Sequence, residues 1–485
     1  MYKRQAFNKK THLRQNIDAL KTAFTLDRER RAPTPEEERT LGAYSGFGAI
    51  KEVLENPTGK PDKDGMATLV AELHEVIRAN TPDEREYKRY MDGIKNSVLT
   101  AFYTPPKVAD AIVEAIWDTR IVPKRILDPS AGTGVFVSAV DFHAPYAEIT
   151  CFEKDPATGL ILKHLHPEKR VRVQGFERIE PKYAGYYDVA VSNIPFGDVA
   201  LFDPFFSTHT DPVRRQGTRA LHNYFFMKSV DMVREGGLVA FITSQGVLNA
   251  EQGRPVREWL MNRCEPVSAI RLPNNLFTEY AGTEVASDLV VLQKQSEKRK
   301  LTPDEQRFVS SSEIGNGIYL NDYHRDFKHA IHTTFSHEKG LYGQSALVLH
   351  YDGGPERIAE RLRGILANAF AARLDTERYT QYLRPLHIPQ AQTVPPTARR
   401  QNRVAAPQSV APPEPASVAP TPEVPAPAAS LFGSAAAVPI ARRPLGSRRR
   451  AGRNTDTTGM SDLFTQGNLF AQPAEAAEAT DAPAA

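Results

Sequence analysis

The chain has 485 residues and a formal net charge of +3, so whole-molecule electrostatics select no partner, and a nucleic-acid surface has to come from local clustering of cations. Its two cysteines, Cys151 and Cys264, fall in no paired spacing, which excludes a disulfide framework and a cysteine-based zinc site and points to a reducing, cytoplasmic setting with no metal. No run approaches the roughly twenty apolar residues of a membrane span, and the polar start Met1-Tyr2-Lys3-Arg4-Gln5 has no signal-peptide character.

Residues 1–99 read as a helical N-terminal region. Thr34-Pro35-Glu36-Glu37 and Thr81-Pro82-Asp83-Glu84 each put a hydroxyl before a proline with an acid at the third helical position, which predicts two helix starts. Between them, Tyr44-Ser45-Gly46-Phe47-Gly48 is predicted to be a turn packed on the neighbouring domain rather than a ligand contact. After Phe102-Tyr103-Thr104-Pro105, an amphipathic helix is predicted from Val108 to Trp117. Strands are then predicted from Arg125 to Asp128, Glu148 to Phe152, Tyr187 to Ser192 and Gly237 to Thr243, with helices from Val135 to Val140 and Tyr224 to Val233. This alternation predicts an α/β domain over residues 100–297, a Rossmann-like parallel sheet flanked by helices, with ligands at the carboxyl ends of its strands. Thr302-Pro303-Asp304-Glu305 caps another helix, and residues 298–388 form a small mixed region whose pattern assigns few elements. From residue 389 the text is dominated by Ala, Pro, Val, Ser and Arg without period, which predicts a disordered tail.

Three segments carry chemistry. Asp128-Pro129-Ser130-Ala131-Gly132-Thr133-Gly134 follows an apolar strand and opens a helix, so its glycines allow close backbone approach to a ligand, while the missing lysine argues against a Walker loop. By itself it reads more simply as a tight strand-to-helix turn. About twenty residues on, Phe152-Glu153-Lys154-Asp155 ends the next strand where a nucleotide-binding α/β fold places its ribose-binding acid; Glu153 is the expected one, with Asp155 as competitor. Finally, a strand runs straight into Asn193-Ile194-Pro195-Phe196. A nucleobase amine is a poor nucleophile because its lone pair is delocalised, and a site that activates it needs two hydrogen-bond acceptors. The Asn193 side-chain oxygen and the Ile194 carbonyl, aimed by Pro195, form such a pair, with Phe196 as a face for a base taken out of the helix. In isolation these four residues read as a rigid loop.

The ordered set Tyr103-Thr104-Pro105, Asp128 to Gly134, Glu153 and Asn193 to Phe196 resembles the gamma class of AdoMet-dependent amino-methyltransferases. The resemblance continues through Leu221 to Phe226, Arg234 to Gly237, Leu272 to Phe277 and Gly282-Thr283-Glu284, and is nearest to the methylase part of helicase-methylase proteins of bacterial mobile elements. It implies adenine-N6 methylation of DNA with S-adenosylmethionine as cofactor. It also implies that Tyr103, Thr104, Pro105, Asp128, Ser130, Gly132, Gly134, Glu153 and Phe176 line the cofactor site. Ile194 stands where the family's usual pattern has a proline, and Gly175 stands where many relatives have an adenine-binding acid, with Glu177 two residues further. Two other readings stay open: a DNA- or AdoMet-binding anti-restriction module without turnover, and a protein glutamine methyltransferase.

For DNA contact the sequence offers the Thr208 to Arg219 loop, with Arg214, Arg215 and Arg219, and the arginines Arg442, Arg443, Arg448, Arg449, Arg450 and Arg453 of the tail. The region 298–388 is the expected place for sequence recognition. Gln466-Gly467-Asn468-Leu469-Phe470 is similar to peptides that dock on the replication sliding clamp, and a separate helicase or nuclease is a further expected partner.

Overall fold

The computed structural model describes residues 8–383 except 49, 56–64, 101–102, 120, 198, 283, 299 and 340–344, and gives only the backbone of 99, 100, 280, 281, 339 and 345. Phe102, Thr283, the predicted disordered tail with its arginines and the Gln466 to Phe470 segment lie outside the described residues.

Four helices come first: α1 (Lys9–Glu29), α2 (Pro35–Gly42), α3 (Met66–Asn80) and α4 (Glu84–Thr100). The Thr34 hydroxyl accepts from Glu37 N while the Glu37 carboxylate accepts from Thr34 N, the reciprocal cap that the sequence suggested. The second expected cap is different. Asp83, not Thr81, accepts from Glu86 N (2.8 Å), because the Thr81 hydroxyl is spent on Ile77 O (2.9 Å) at the end of α3. The apolar stripes of these helices pack against Ala157, Leu160 and Ile161 in a shared core.

The next stretch holds α5 (Pro106–Trp117), β1 (Arg125–Asp128), α6 (Val135–His143), β2 (Glu148–Phe152), α7 (Pro156–Leu165), β3 (Arg170–Arg172) and β4 (Tyr187–Asn193). It continues with α8 (Pro204–Ser207), α9 (Pro212–Gly217), α10 (Leu221–Met232), β5 (Val233–Ser244), α11 (Gly246–Asn249), α12 (Arg254–Met261), β6 (Cys264–Leu272), α13 (Thr278–Ala281) and β7 (Ser287–Lys294). The sheet order is β3-β2-β1-β4-β5-β7-β6; β1 to β5 pair in parallel, and β7 runs antiparallel to both β5 and β6. From β1 the chain moves outward to β3 and then returns to the other side with β4, so the switch point lies between β1 and β4, where such sheets open a crevice.

Strand periodicity sorts side chains between the two faces. In β5, Leu238, Ala240 and Ile242 join the core beneath α5 and α6, while Val239 and Phe241 join the aromatic core with Tyr224, Phe226 and Trp259. The C-terminal stretch adds α14 (Pro303–Val309), the hairpins β8 (Ser311–Gly315) with β9 (Ile318–Asn321) and β10 (Thr334–Lys339) with β11 (Ser345–His350), then α15 (Gly354–Arg373) and α16 (Thr376–Gln381). Part of this stretch belongs to the main core. Leu362, Leu366 and Phe370 of α15 are buried there, Arg363 bridges Glu114 (3.0 Å) and Asp118 (2.9 Å) of α5 and its end, and Tyr379 lies under the Arg234 guanidinium (4.3 Å), itself ion-paired with Asp188 (2.6 Å).

Candidate active site

The tips of β1 and β4 are tied together. Asp128, 1% exposed, accepts from Ser130 N (3.1 Å) and from the Ser192 hydroxyl (2.7 Å), so the glycine turn after β1 and the residue just before Asn193 share one carboxylate. Burial pushes that carboxyl up to about 7. The turn then passes through Gly132 at φ 53°, a left-handed backbone that glycine adopts without strain. A Cβ there would stand 3.3 Å from the Tyr103 ring.

Glu153, at the end of β2, clamps the turn. Its Oε2 accepts from Gly132 N and its Oε1 from Asp155 N, both at 2.8 Å, which leaves each oxygen a lone pair for a further donor. Burial, then the charge of Asp155, pushes the Glu153 carboxyl up to about 7. Asp155 is occupied otherwise: it caps α7 through Ala157 N (3.1 Å) and takes the Thr158 hydroxyl (2.6 Å). Thr104 is buried, and its hydroxyl has no hydrogen-bond partner among the described residues.

The turn at Tyr44 to Phe47 supports this corner from outside. Tyr44, 5% exposed, shares a hydrogen bond with Thr158 (2.8 Å), and Asn16 holds Gly46 O (2.6 Å) and Ser45 N (3.0 Å). Gly46, at φ 68°, lies so close to Tyr103 that a Cβ would stand 2.0 Å from its hydroxyl oxygen. The turn is thus packed scaffolding, as the sequence suggested, and its load falls on Tyr103.

Tyr103, Thr104, Ser130, Gly132, Glu153, Phe176 and Asn193 to Phe196 line one cleft of about 1930 Å³. Ile194 N is fixed to Ile242 O of β5 (3.0 Å). Three of the expected cofactor residues sit behind this surface. Pro105 caps α5 through Val108 N (2.9 Å), Asp128 lies beneath the turn, and Gly134 faces Leu162 and His166. Phe196 departs from the open stacking face expected of it: it is 4% exposed, edge-on to Phe277 at 6.3 Å and 81°. Phe176 is likewise packed, among Phe152, Tyr224 and Phe225.

The loop arginines separate into different roles. Arg214 is a structural cation, 12% exposed, paired with Asp231 through both terminal guanidinium nitrogens and lying over the Phe206 and Trp259 rings (5.1 and 4.9 Å); it is not available to DNA. Arg215 is exposed, but its guanidinium ties down its own loop at His209 O and Thr210 O (3.0 Å to the latter). Arg219 is exposed and has no ion pair among the described residues. Two features escaped the sequence reading. The Glu177 carboxylate folds back so that its carbon stands 2.5 Å from where a Cβ of Gly175 would be, filling the room of an acid at 175. Helix α4 also lines the cleft, with Arg85, Lys88 and Arg89. The spacing of Glu177 offered a hint of the first; nothing local signalled the second.

Residues 162–350 match the family described as N-6 DNA Methylase, and this match spans β3 to β11 with Asn193 to Phe196 inside it. That segment is similar to the N-6 DNA methylase family. The chain is 25% identical over 318 residues to the Defense against restriction protein B of Escherichia phage P1, covering 64% of this chain and 13% of that protein. It is 22% identical over 293 residues to the Type II methyltransferase M.XamI of Xanthomonas campestris pv. amaranthicola, covering 53% of each. The chain therefore spans about an eighth of the phage protein and about half of the Xanthomonas one. Among solved structures, the EcoKI M protein of a type I restriction enzyme aligns with a TM-score of 0.35 at 15% identity, covering 80% of this chain and 96% of that one.

Proposed function

We propose that this chain transfers a methyl group from S-adenosylmethionine to N6 of adenine in DNA, by direct attack of a flipped-out base. One observation carries the reading: the glycine turn with Glu153 and the Asn193 to Phe196 segment line a single cleft, joined beneath by the Asp128–Ser192 hydrogen bond. The family description, which names both DNA and the N-6 position, supports the substrate.

The residues present suit this cofactor. The side-chain-free approach at Gly132, the spare lone pairs of Glu153 and the buried Thr104 hydroxyl together favour a ligand that carries hydroxyl donors. Bound there, the cofactor supplies an electrophilic methyl group on a sulfonium sulfur. Glu153 takes a ribose hydroxyl while keeping Gly132 N, and Glu177 supplies the adenine-side acceptor that Gly175 lacks. Asn193 Oδ1 and the Ile194 carbonyl accept the two amino hydrogens of the target base, which turns the nitrogen lone pair out of conjugation and toward the donor. Ile194 needs no proline for this, since its own N–H is held by Ile242.

The same proposal makes residues 100–297 the catalytic domain and 298–388 the recognition region. It also makes the Arg448 to Arg450 tail a salt-sensitive DNA tether, and Gln466 to Phe470 a clamp-docking peptide; these tail assignments rest on sequence alone. Among the described residues no helix is long and apolar enough to cross a membrane, and the proposed setting is the cytoplasm. The similarity to an anti-restriction protein favours one rival, a DNA- and cofactor-binding module without turnover. Long-read sequencing of DNA from cells expressing the chain separates the two: N6-methyladenine in a fixed context supports the enzyme, and unmarked DNA from cells containing folded, AdoMet-binding protein supports the rival.

A further inference from the structure

The segment that leaves the catalytic motif, Gly197 to Phe206, presents three large apolar side chains to water. Phe202 is 73% exposed, Phe205 58% and Val199 54%. Single exposed apolar residues are ordinary, but several on one short segment mark an interaction surface. Val199, Ala200 and Leu201 of the same segment line the cleft, so Phe202 stands at its edge.

The mount is rigid. Leu201 N donates to Thr218 O (2.8 Å) and Leu221 N to Gly197 O (3.2 Å), which lays residues 218–221 alongside. Asp203, 1% exposed, accepts from the Tyr224 hydroxyl (2.6 Å) and the Lys228 ammonium (2.9 Å), and Phe206 is buried against Tyr224. Phe205 has neighbours of its own, His209 at 5.3 Å and the Lys228 ammonium at 5.7 Å, whereas Phe202 has no ring partner among the described residues. Arg219, exposed and without an ion pair among the described residues, follows Thr218 and lies next to this segment. An exposed apolar side chain on a hydrogen-bonded mount, with an arginine on the adjoining backbone and the cleft behind, complements a base stack flanked by phosphate.

The geometry points to Phe202 as a wedge that enters the duplex at the gap left by the extruded adenine, with Arg219 on a neighbouring phosphate. The assignment rests on the proposed DNA methylation and deepens it. Extrusion costs least where the target base is weakly paired, so the wedge matters only when pairing has to be broken.

The test uses the full chain, a duplex oligonucleotide with the methylated context found by sequencing, and its twin with an abasic site opposite the target adenine. For Phe202→Ala, kcat/KM on the paired duplex is expected to fall about tenfold or more, with less than about a threefold change on the abasic duplex and unchanged AdoMet binding. Phe202→Trp restores the paired duplex. Equal losses on both duplexes, or none on either, overturn the wedge while leaving the methyltransferase reading intact. A wild-type protein that methylates neither duplex overturns that reading and the wedge with it.

Discussion

Gly46→Ala tests whether the N-terminal helices build the cofactor corner or merely adjoin it. The new Cβ would stand 2.0 Å from the Tyr103 hydroxyl oxygen and 2.3 Å from its Cζ, and the backbone at φ 68° disfavours any side chain. The left-handed backbone alone costs about 1–2 kcal/mol in an L-residue. To reach an ordinary contact of about 3.5–4 Å the tyrosine ring has to withdraw by more than about 1 Å. The same ring covers Gly132, whose Cβ position is 3.3 Å from Tyr103 Cε1, so the withdrawal reshapes the turn clamped by Glu153. We expect AdoMet affinity, measured calorimetrically, to weaken about tenfold, equivalent to about 1.4 kcal/mol. The melting temperature is expected to fall by several degrees, at about 2–4 °C per kcal/mol for a domain of this size. Gly42→Ala is the control, since nothing lies within 4 Å of its Cβ position. If Gly46→Ala binds and melts like the wild type, the Tyr44 turn does not set the cofactor corner through Tyr103.

The remaining predictions follow from the same corner and its surroundings. Asp128 and Glu153 both titrate near 7 without ligand, and a cationic ligand favours their charged forms. AdoMet affinity is therefore expected to weaken by about tenfold per pH unit for each proton displaced as pH falls below 7, and to level off above 7.5. Raised carboxyl values stabilise the ligand-free fold at acid pH, a contribution lost as pH rises from about 4 to 7, so its melting temperature falls while the AdoMet-induced increment grows; thermal melts at pH 6 and 8 check both signs. Glu177→Gln is expected to weaken AdoMet binding by roughly fivefold to tenfold with little change in melting temperature, whereas equal affinity would remove it from the adenine side. Arg214→Ala is expected to destabilise the fold by about 3 kcal/mol through the stranded Asp231, while Arg219→Ala should leave the melt unchanged and lower the salt dependence of DNA binding by about one counterion.

Local pattern carried the cofactor half of the sheet. The strands from Arg125 and Glu148 are short apolar runs punctuated by proline and glycine, and the structure bounds them at the residues expected. β5 starts earlier than its apolar run, at Val233, because Arg234 in it is neutralised by Asp188 from the neighbouring strand. The strand β6 was hidden for the same reason: Glu265, Pro266 and Arg271 interrupt it, and only the fold shows that Arg271 meets Asp288 of β7 in a buried pair. β3, three residues with only Val171 half-buried against the core, gives little signal in a single sequence.

The site was legible where chemistry and spacing coincide. Glu153 and Asn193 could be named from strand ends, because a parallel sheet brings those ends together. What sequence did not disclose was the division of labour that depends on third parties. Asp231 turns Arg214 inward, Phe277 closes over Phe196, Ser192 draws Asp128 beneath the turn, and the back-folded Glu177 fills the space at Gly175.

The central claim concerns where a methyl group goes. Purified protein incubated with isotopically labelled AdoMet and unmethylated DNA, followed by nucleoside mass spectrometry, reads that out directly. The account predicts label in N6-methyladenine for the wild type and none for Asn193→Ala at matched AdoMet binding. Label in a cytosine or in the protein itself, or equal transfer by Asn193→Ala, contradicts it.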